Sequence, residues 1–282
     1  MNDRTGKNDR PAAATEIRVE ALHKAFNDHE VLNGIDLDVR RGDVLAIVGG
    51  SGCGKTVLLN NILGLLIPDA GRILVTNHDE DGEQLRDLAE TSQEVRDRIH
   101  THWGMVFQRN ALFSGTVFDN IALWLREVRE LPDEAIRPIA RTALKSVGLS
   151  DDDEFLASNQ ESLSGGMAKR LAVARAVATR PTVMFYDEPT TGLDPTSSAQ
   201  IHDLIYDMHV TGGDVQRTTV IITHDKDLLS RLMPRTVMLH DGRVYFDGAF
   251  QAFKRRTGDQ IIRPYFELMP VLHGRETEAA VT

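Results

Sequence analysis

The sequence predicts an α/β fold with a mainly parallel sheet, an antiparallel β edge and an all-helical insertion, on three observations. Val44, Leu45, Ala46, Ile47 and Val48 form an apolar run that breaks at a glycine-rich turn and resumes at helical spacing with Val57, Leu58, Leu59 and Ile62. That is the signature of a strand buried on both faces feeding a helix. Two further apolar runs, Val183-Met184-Phe185-Tyr186 and Val220-Ile221-Ile222, each deliver polar residues at their carboxyl ends, where open parallel sheets bind ligands. Between the first and second runs, apolar residues of the stretch about 110–160 recur at helical spacings, which reads as a helical insertion.

In chain order, residues 1–15 are polar and read as a disordered tail without the apolar core of a signal peptide. Ile17, Val19, Ala21 and Leu22, then Val31, Leu32, Ile35, Leu37 and Val39, give period-2 patterns, expected to be antiparallel edge strands leading to the central one. Phe26, in the turn between them, is either a core aromatic or a plate on which a base stacks.

The central element follows. Gly49, Gly50, Ser51, Gly52, Cys53, Gly54, Lys55 and Thr56 spell G-x-x-x-x-G-K-T between strand and helix, the context a phosphate-binding loop needs. Glycines let successive backbone N–H groups turn inward around a polyphosphate, and the helix beginning at Val57 aims its positive end at the same anion. Lys55 can bridge the β- and γ-phosphates, and the Thr56 hydroxyl can ligate Mg²⁺. The alternative is a plain glycine-rich turn. The flanking strand and helix favour nucleotide binding. Cys53 is the one cysteine; no base is spaced to activate it, so it reads as a tolerated small residue.

Residues 72–75 read as a short strand after a turn. The charge-rich residues 76–98, with His-Asp-Glu-Asp-Gly-Glu at 78–83, lack convincing metal-ligand spacing and read as a solvated loop or exposed helix. The run 103–108 is strand-like and ends on Gln108. Helices are expected from Val117 to about Val128 and over 133–147, the second closed by Gly148. Residues 151–154 read as a solvated acidic loop. Ser164 then caps a helix that opens on Gly165 and Gly166, an arrangement that brings N–H groups to an anion or merely starts a helix. A second glycine-lined helix start does not easily reach a phosphate already held by the first loop, which hints at a partner copy.

Asp187 and Glu188 follow a buried strand directly; the Asp can hold Mg²⁺ through water and the Glu can polarise a nucleophilic water. Thr191-Gly192-Leu193-Asp194-Pro195 makes a tight turn, a helix is expected over 197–209, and the last core strand ends on His224. His224 is either a satisfied surface histidine or a contact to the γ-phosphate, and its place beside the other strand ends favours the latter. A hairpin through Asp241-Gly242 closes the core pattern. Beyond it, Lys254-Arg255-Arg256 and the apolar stretch 265–272 read equally as a flexible tail or a docking segment for a partner subunit.

Composition limits function. The net charge of −10 and the acidic isoelectric point of about 5.5 argue against nucleic acid as the main partner. A single cysteine excludes an intramolecular disulfide and fits a reducing cytoplasm. No run reaches the ~18 apolar residues of a membrane span, so work at a membrane would require another chain to carry the spans.

The phosphate loop, Leu163-Ser164-Gly165-Gly166-Met167, the Asp187-Glu188 strand end, Gly192-Leu193-Asp194, Thr223-His224 and Gln108, all in order, make residues 17–250 resemble an ATP-binding-cassette (ABC) ATPase. The resemblance implies a P-loop NTPase core over 16–250, with a helical subdomain at about 110–180 and a C-terminal extension at 251–282. It implies that Phe26 stacks on adenine, that residues 49–57 bind ATP, and that Gln108 senses Mg²⁺ and the membrane partner. Asp187, with Thr56 and Gln108, would hold Mg²⁺; Glu188 would be the general base and His224 the switch histidine, with Lys55 on the phosphates. Such cassettes work as head-to-tail dimers, in which Ser164, Gly165, Gly166 and Asp194 meet the ATP of the other copy.

Met167 followed by Lys169-Arg170, the stretch 107–127 and the extension look like the Mla-type phospholipid-transport ATPases that serve Mce-protein systems of diderm bacteria. That resemblance implies an ATPase on the cytoplasmic face of the inner membrane. It would drive a separate integral permease together with an Mce-domain protein and a small accessory subunit, moving phospholipid between inner and outer membranes. Rival readings are the same engine with another cargo, such as an amino acid or metal chelate, and a non-transport cassette on ribosomes or DNA. The second is disfavoured by the charge and by the single cassette. A regulator with dead sites is disfavoured because every catalytic position is intact.

Overall fold

A computed structural model describes residues 14–27, 29–79, 84–210 and 217–267. Strands β1 (Thr15–Phe26) and β2 (His29–Arg40) precede β3 (Val44–Gly49) and helix α1 (Lys55–Ile62). Then come β4 (Ala70–Thr76), β5 (Leu85–Asp87), α2 (Gln93–His100) and β6 (Trp103–Val106). The helical stretch holds α3 (Val117–Glu127), α4 (Asp133–Ser146), α5 (Asp153–Ala157) and α6 (Gly165–Ala178). After it run β7 (Val183–Asp187), α7 (Pro195–Val210), β8 (Thr218–Ile222), α8 (Lys226–Leu232), β9 (Arg235–His240), β10 (Arg243–Ala249), α9 (Phe250–Arg255) and α10 (Ile262–Glu267).

Two sheets result. A six-stranded sheet runs β10-β9-β3-β8-β7-β6, parallel except for β10, and a four-stranded antiparallel sheet runs β2-β1-β4-β5. The α/β expectation with an antiparallel β edge and a helical insertion holds, with one correction to the core strands. The antiparallel strands form a sheet of their own, because β1 spends its two edges on β2 and β4. Residues 218–222 are not the last core strand, because β9 lies parallel to β3, with Leu45 opposite Arg235 and Gly49 opposite Leu239.

The six-stranded sheet is buried on both faces, and its pleat sorts side chains by parity. Leu45 and Ile47 of β3, with Phe185, Val220, Ile222, Val237 and Leu239, face α1 and the antiparallel sheet. Met184, Tyr186 and Ile221 face the helical stretch, where Ile121, Leu125, Ile136, Ala140, Leu144 and Leu171 are buried. Ala46 and Val48, the small members of β3, face Phe246, Phe250, Phe253, Ile262 and Tyr265.

That last cluster corrects the flexible-tail reading for the described part of the extension. Phe253 and Ile262 are fully buried, and burying side chains of this size stabilises by about 1.5–3 kcal/mol each. Residues 1–13, 28, 80–83, 211–216 (the Gly212-Gly213 loop) and 268–282 lie outside the described residues. The acidic run is also more ordered than a solvated loop: the Asp152 carboxylate accepts from the Phe155 N–H at 2.7 Å and caps α5.

Candidate functional site

Because β3, β8, β7 and β6 are parallel neighbours, their carboxyl ends share one edge of the sheet. That edge carries Gly49 and its loop, Thr223-His224, Asp187-Glu188 and, two residues past β6, Gln108.

The loop after β3 is shaped by its glycines. Gly49, Gly52 and Gly54 have φ of 147°, 77° and 100°, backbone that L side chains adopt only with strain. A Cβ on Gly49 would lie 2.5 Å from the Leu239 carbonyl oxygen and 2.6 Å from Cys53 Sγ. Around Gly50 and Gly52 the same position is open, so the loop is tight toward the sheet and clear on its other side. Lys55 Nζ folds back over the turn and donates to the carbonyls of Gly49 (2.9 Å) and Gly50 (2.8 Å). The first turn of α1 holds no acidic residue, leaving its positive end free to act on an anion. Thr56 is exposed and Val57 half-buried in that turn.

Across the edge, Glu188 has a φ of 45°, a conformation that costs of order 1–3 kcal/mol and persists where surrounding contacts over-determine it. Its N–H donates to the Ile222 carbonyl at 2.8 Å, and its Oε2 lies 2.7 Å from His224 Nδ1. That hydrogen bond, with the charges of Glu188 and Asp225, raises the His224 pKa against the opposing effects of burial and Lys55. Burial, and then the Glu188 charge, push Asp187 above the ordinary carboxylate value, while Lys55 and Lys169 pull it back.

Gly49, Gly50, Ser51, Lys55, Glu188 and His224 line one cavity of about 620 Å³, walled on another side by Met238, His240, Gln260, Ile261, Pro264 and Tyr265. A cation, an open backbone turn and a carboxylate–imidazole pair thus face one space. Such a set can hold a polyphosphate and activate a water.

The other expected residues sit elsewhere. Gly52, Cys53, Gly54, Thr56 and Val57 belong to the same loop and helix start without lining the cavity. Asp187 and Gln108 share the sheet edge but not the lining. Phe26, the last residue of β1, is 43% exposed with Lys24 Nζ 5.5 Å from its ring centroid. Ser164 caps α6 by accepting from the Met167 N–H at 3.3 Å. The α6 start meets α7, since a Cβ on Gly166 would lie 2.7 Å from Ser197 Oγ. Asp194 caps α7 by accepting from the N–H groups of Thr196 and Ser197, both at 3.0 Å. None of these four lines the cavity of its own chain.

Several residues at the site escaped sequence reasoning. Lys169 of α6 is 1% exposed, and burial lowers its pKa to about 8 against the attraction of Asp187. A helical wheel carries the signal, for Gly166, Lys169, Val173 and Ala176 fall on one inward face. Asp225, next to His224, accepts from the Thr190 hydroxyl (2.8 Å) and pairs with His202 Nε2 (2.7 Å). Thr190, in the turn after β7, and His202, in α7, lie 35 and 23 residues from Asp225 in sequence, so no local pattern could show the two partners.

Burial alone would raise Asp225, but the hydrogen bond and charge of His202, the Leu228 N–H and the Thr190 hydroxyl outweigh it and hold the carboxyl at about 2, below its ordinary 3.8. A depressed carboxylate contributes stability above its unfolded pKa and loses it as pH falls through the folded value, here between about pH 4 and pH 2. Asp225→Asn should therefore be less stable than the parent by roughly 2 kcal/mol at neutral pH, with the gap closing below about pH 2. Thermal unfolding of both proteins across pH checks this; a gap independent of pH would refute it.

Comparison with known proteins gives a consistent neighbourhood. The family model described as ABC transporter matches residues 32–191. The chain is 38% identical over 237 residues to the L-cystine transport system ATP-binding protein TcyN of Escherichia coli (strain K12), covering 84% of this chain and 91% of that one. It is 36% identical over 233 residues to the intermembrane phospholipid transport system ATP-binding protein MlaF of Haemophilus influenzae, covering 82% and 83%. Among solved structures, cbiO1 from Clostridium perfringens, part of the ABC transporter complex cbiONQ, superposes with a TM-score of 0.72 at 30% identity, covering 90% of this chain and 99% of that one. A dimeric post-hydrolysis state of the ATP-binding cassette MJ0796 bound to ADP and Pi gives a TM-score of 0.69 at 26% identity, covering 83% and 98%.

Proposed function

The chain belongs to the ABC transporter family as an ATP-hydrolysing subunit, and from that premise we propose that it powers a separate permease carrying phospholipid between the inner and outer membranes. The observation that carries the engine is the Glu188–His224 pair, 2.7 Å apart, sharing a cavity with Lys55 and the phosphate loop. In this reading Gly49, Gly50, Ser51, Gly52, Cys53 and Gly54 cradle ATP with Lys55, and Phe26 stacks on its base. Glu188 polarises the attacking water and His224 steadies the γ-phosphate.

ABC ATPases dimerise and pair with membrane permeases. In this reading Ser164, Gly165, Gly166 and Asp194 meet the ATP of a second copy. Mg²⁺ would be held by Thr56, Gln108 and Asp187, all oxygen donors as a hard cation requires. The fit has a physical basis here, since a cation beside Asp187 would offset the burial and the Glu188 repulsion that push its carboxyl up. When bound, it would neutralise charge developing on the phosphates.

An apolar groove of about 490 Å³, lined by Trp103, Phe107, Phe113, Leu123, Trp124 and Val128 among others, supports permease docking beside Gln108. Among the described residues no helix is long and apolar enough to cross a membrane, which fits a peripheral subunit on the cytoplasmic face of the inner membrane. For the cargo, support comes from Met167 with Lys169-Arg170, from the 107–127 stretch, from the extension beyond the cassette and from the resemblance to MlaF. On the same reading, an Mce-domain protein and a small accessory subunit join the assembly, and residues of the extension dock a subunit. An amino-acid cargo is the second reading, favoured by the 38% identity to the cystine ATPase.

Affinity capture of the tagged chain in mild detergent, with mass spectrometry of proteins and lipids, separates the two. A permease with an Mce-domain protein and phospholipid is the expected result. A permease with a small-solute binding protein would discard the lipid cargo and leave the ATPase reading intact.

A further inference from the structure

Residues 107–111 lie between β6 and α3 in no regular element, so their carbonyls must find partners outside a ladder. Helix α6 supplies them. Lys169 Nζ donates to the carbonyls of Phe107 (3.0 Å) and Gln108 (2.9 Å). Two turns further on, the Arg175 guanidinium donates to those of Ala111 (2.7 Å) and Asn110 (3.2 Å) and lies 5.3 Å from the Phe113 ring centroid. Ala111 itself has a φ of 48°, so the segment is held in a shape that its own residues do not favour. A buried ammonium is costly unless it is well bonded, and charge-assisted bonds to carbonyls are among the stronger ones. A methionine would fill the same volume at 169 but would leave two carbonyls without their donor.

We propose that Lys169 and Arg175 are positioning residues that fasten the Gln108 segment to helix α6, so that Gln108 and the Ser164-Gly165-Gly166 helix start move as one body. The proposal rests on the reading of Gln108 as the residue that senses Mg²⁺ and the permease. Its consequence is mechanical. Whatever displaces the α6 start, such as closure on the nucleotide of a second copy, displaces Gln108 with it.

The test is amide hydrogen exchange on the full nucleotide-free chain, comparing the parent with Lys169→Met. Losing two charge-assisted bonds should raise exchange over residues 105–113 about ten- to a hundredfold, with β3, β8 and β9 unchanged. Lys169→Gln, which keeps a shorter donor, should fall between the two and serves if the methionine variant does not fold. Unchanged exchange in the segment, or an equal rise everywhere, overturns the proposal.

A second readout uses binding of a fluorescent ATP analogue in the Glu188→Gln background at varied Mg²⁺. Lys169→Met should raise the half-saturating Mg²⁺ about fivefold, and adding Gln108→Ala should raise it no further. If Gln108→Ala alone shifts Mg²⁺ dependence and Lys169→Met does not, the fastening fails and the Gln108 reading stands. If Gln108→Ala shifts nothing, the Gln108 reading fails, and the exchange data alone decide the fastening.

Discussion

Glu188→Gln is expected to lower steady-state ATP turnover at least a hundredfold while leaving nucleotide affinity within a few-fold. A positioned general base contributes roughly 10²–10⁴ in rate, and glutamine keeps the shape of the side chain while removing its basicity. The backbone should hold, because the residue at 188 is fixed in its left-handed conformation by the N–H bond to Ile222 and by the turn that follows. The cavity walls at Gly49, Gly50, Ser51 and Lys55 do not depend on the carboxylate. Neutralising Glu188 also removes one of the causes that raise Asp187, so the neighbouring carboxyl should ionise more readily and any cation held there should not be lost. Turnover by a colorimetric phosphate assay and affinity by fluorescent-nucleotide titration separate the two effects. Undiminished turnover would remove Glu188 from the role of base; a parallel collapse of binding would mean that the substitution had deformed the cavity.

How far the site was legible follows from how local each feature is. The phosphate loop is local: its glycines, Lys55 and the strand–helix context lie within one short segment, and the open space at Gly50 and Gly52 agrees with the chemistry read from residue types. The strands β3, β7 and β8 were legible because a strand buried on both faces has to be apolar throughout. The hairpin through Asp241-Gly242 was legible and is formed by β9 and β10, but the pairing of β9 with β3, Leu45 opposite Arg235, leaves no mark in either segment. The same holds for α10. Its Ile262 and Tyr265 sit three residues apart in a short helix, too brief for a period to announce burial. Yet its surroundings wall the cavity at Gln260, Ile261 and Pro264. Lys169 was read as a mark of subfamily, although its position on the inward face of α6 already made it a buried cation in need of partners.

Gly49→Ala and Gly50→Ala should part company sharply, although they change adjacent residues by one methyl group. At Gly49 the φ of 147° and the 2.5 Å approach to the Leu239 carbonyl combine backbone strain with overlap against a neighbouring strand that cannot yield without breaking its ladder with β3. Strain of ~1–2 kcal/mol and overpacking of ~1–3 kcal/mol predict a loss of about 2–5 kcal/mol. At about 2–4 °C per kcal/mol for a chain of this size, the melting temperature should fall by roughly 10 °C. At Gly50 nothing lies within 4 Å of the new Cβ and the backbone is not left-handed, so stability should change by less than about 0.5 kcal/mol. Scanning calorimetry of the two variants reads the contrast directly. Equal losses would mean that the loop is held by features other than its contact with β9. Two neutral substitutions would mean that the turn opens freely, and a turn that opens freely could not present its N–H groups to a phosphate already in place.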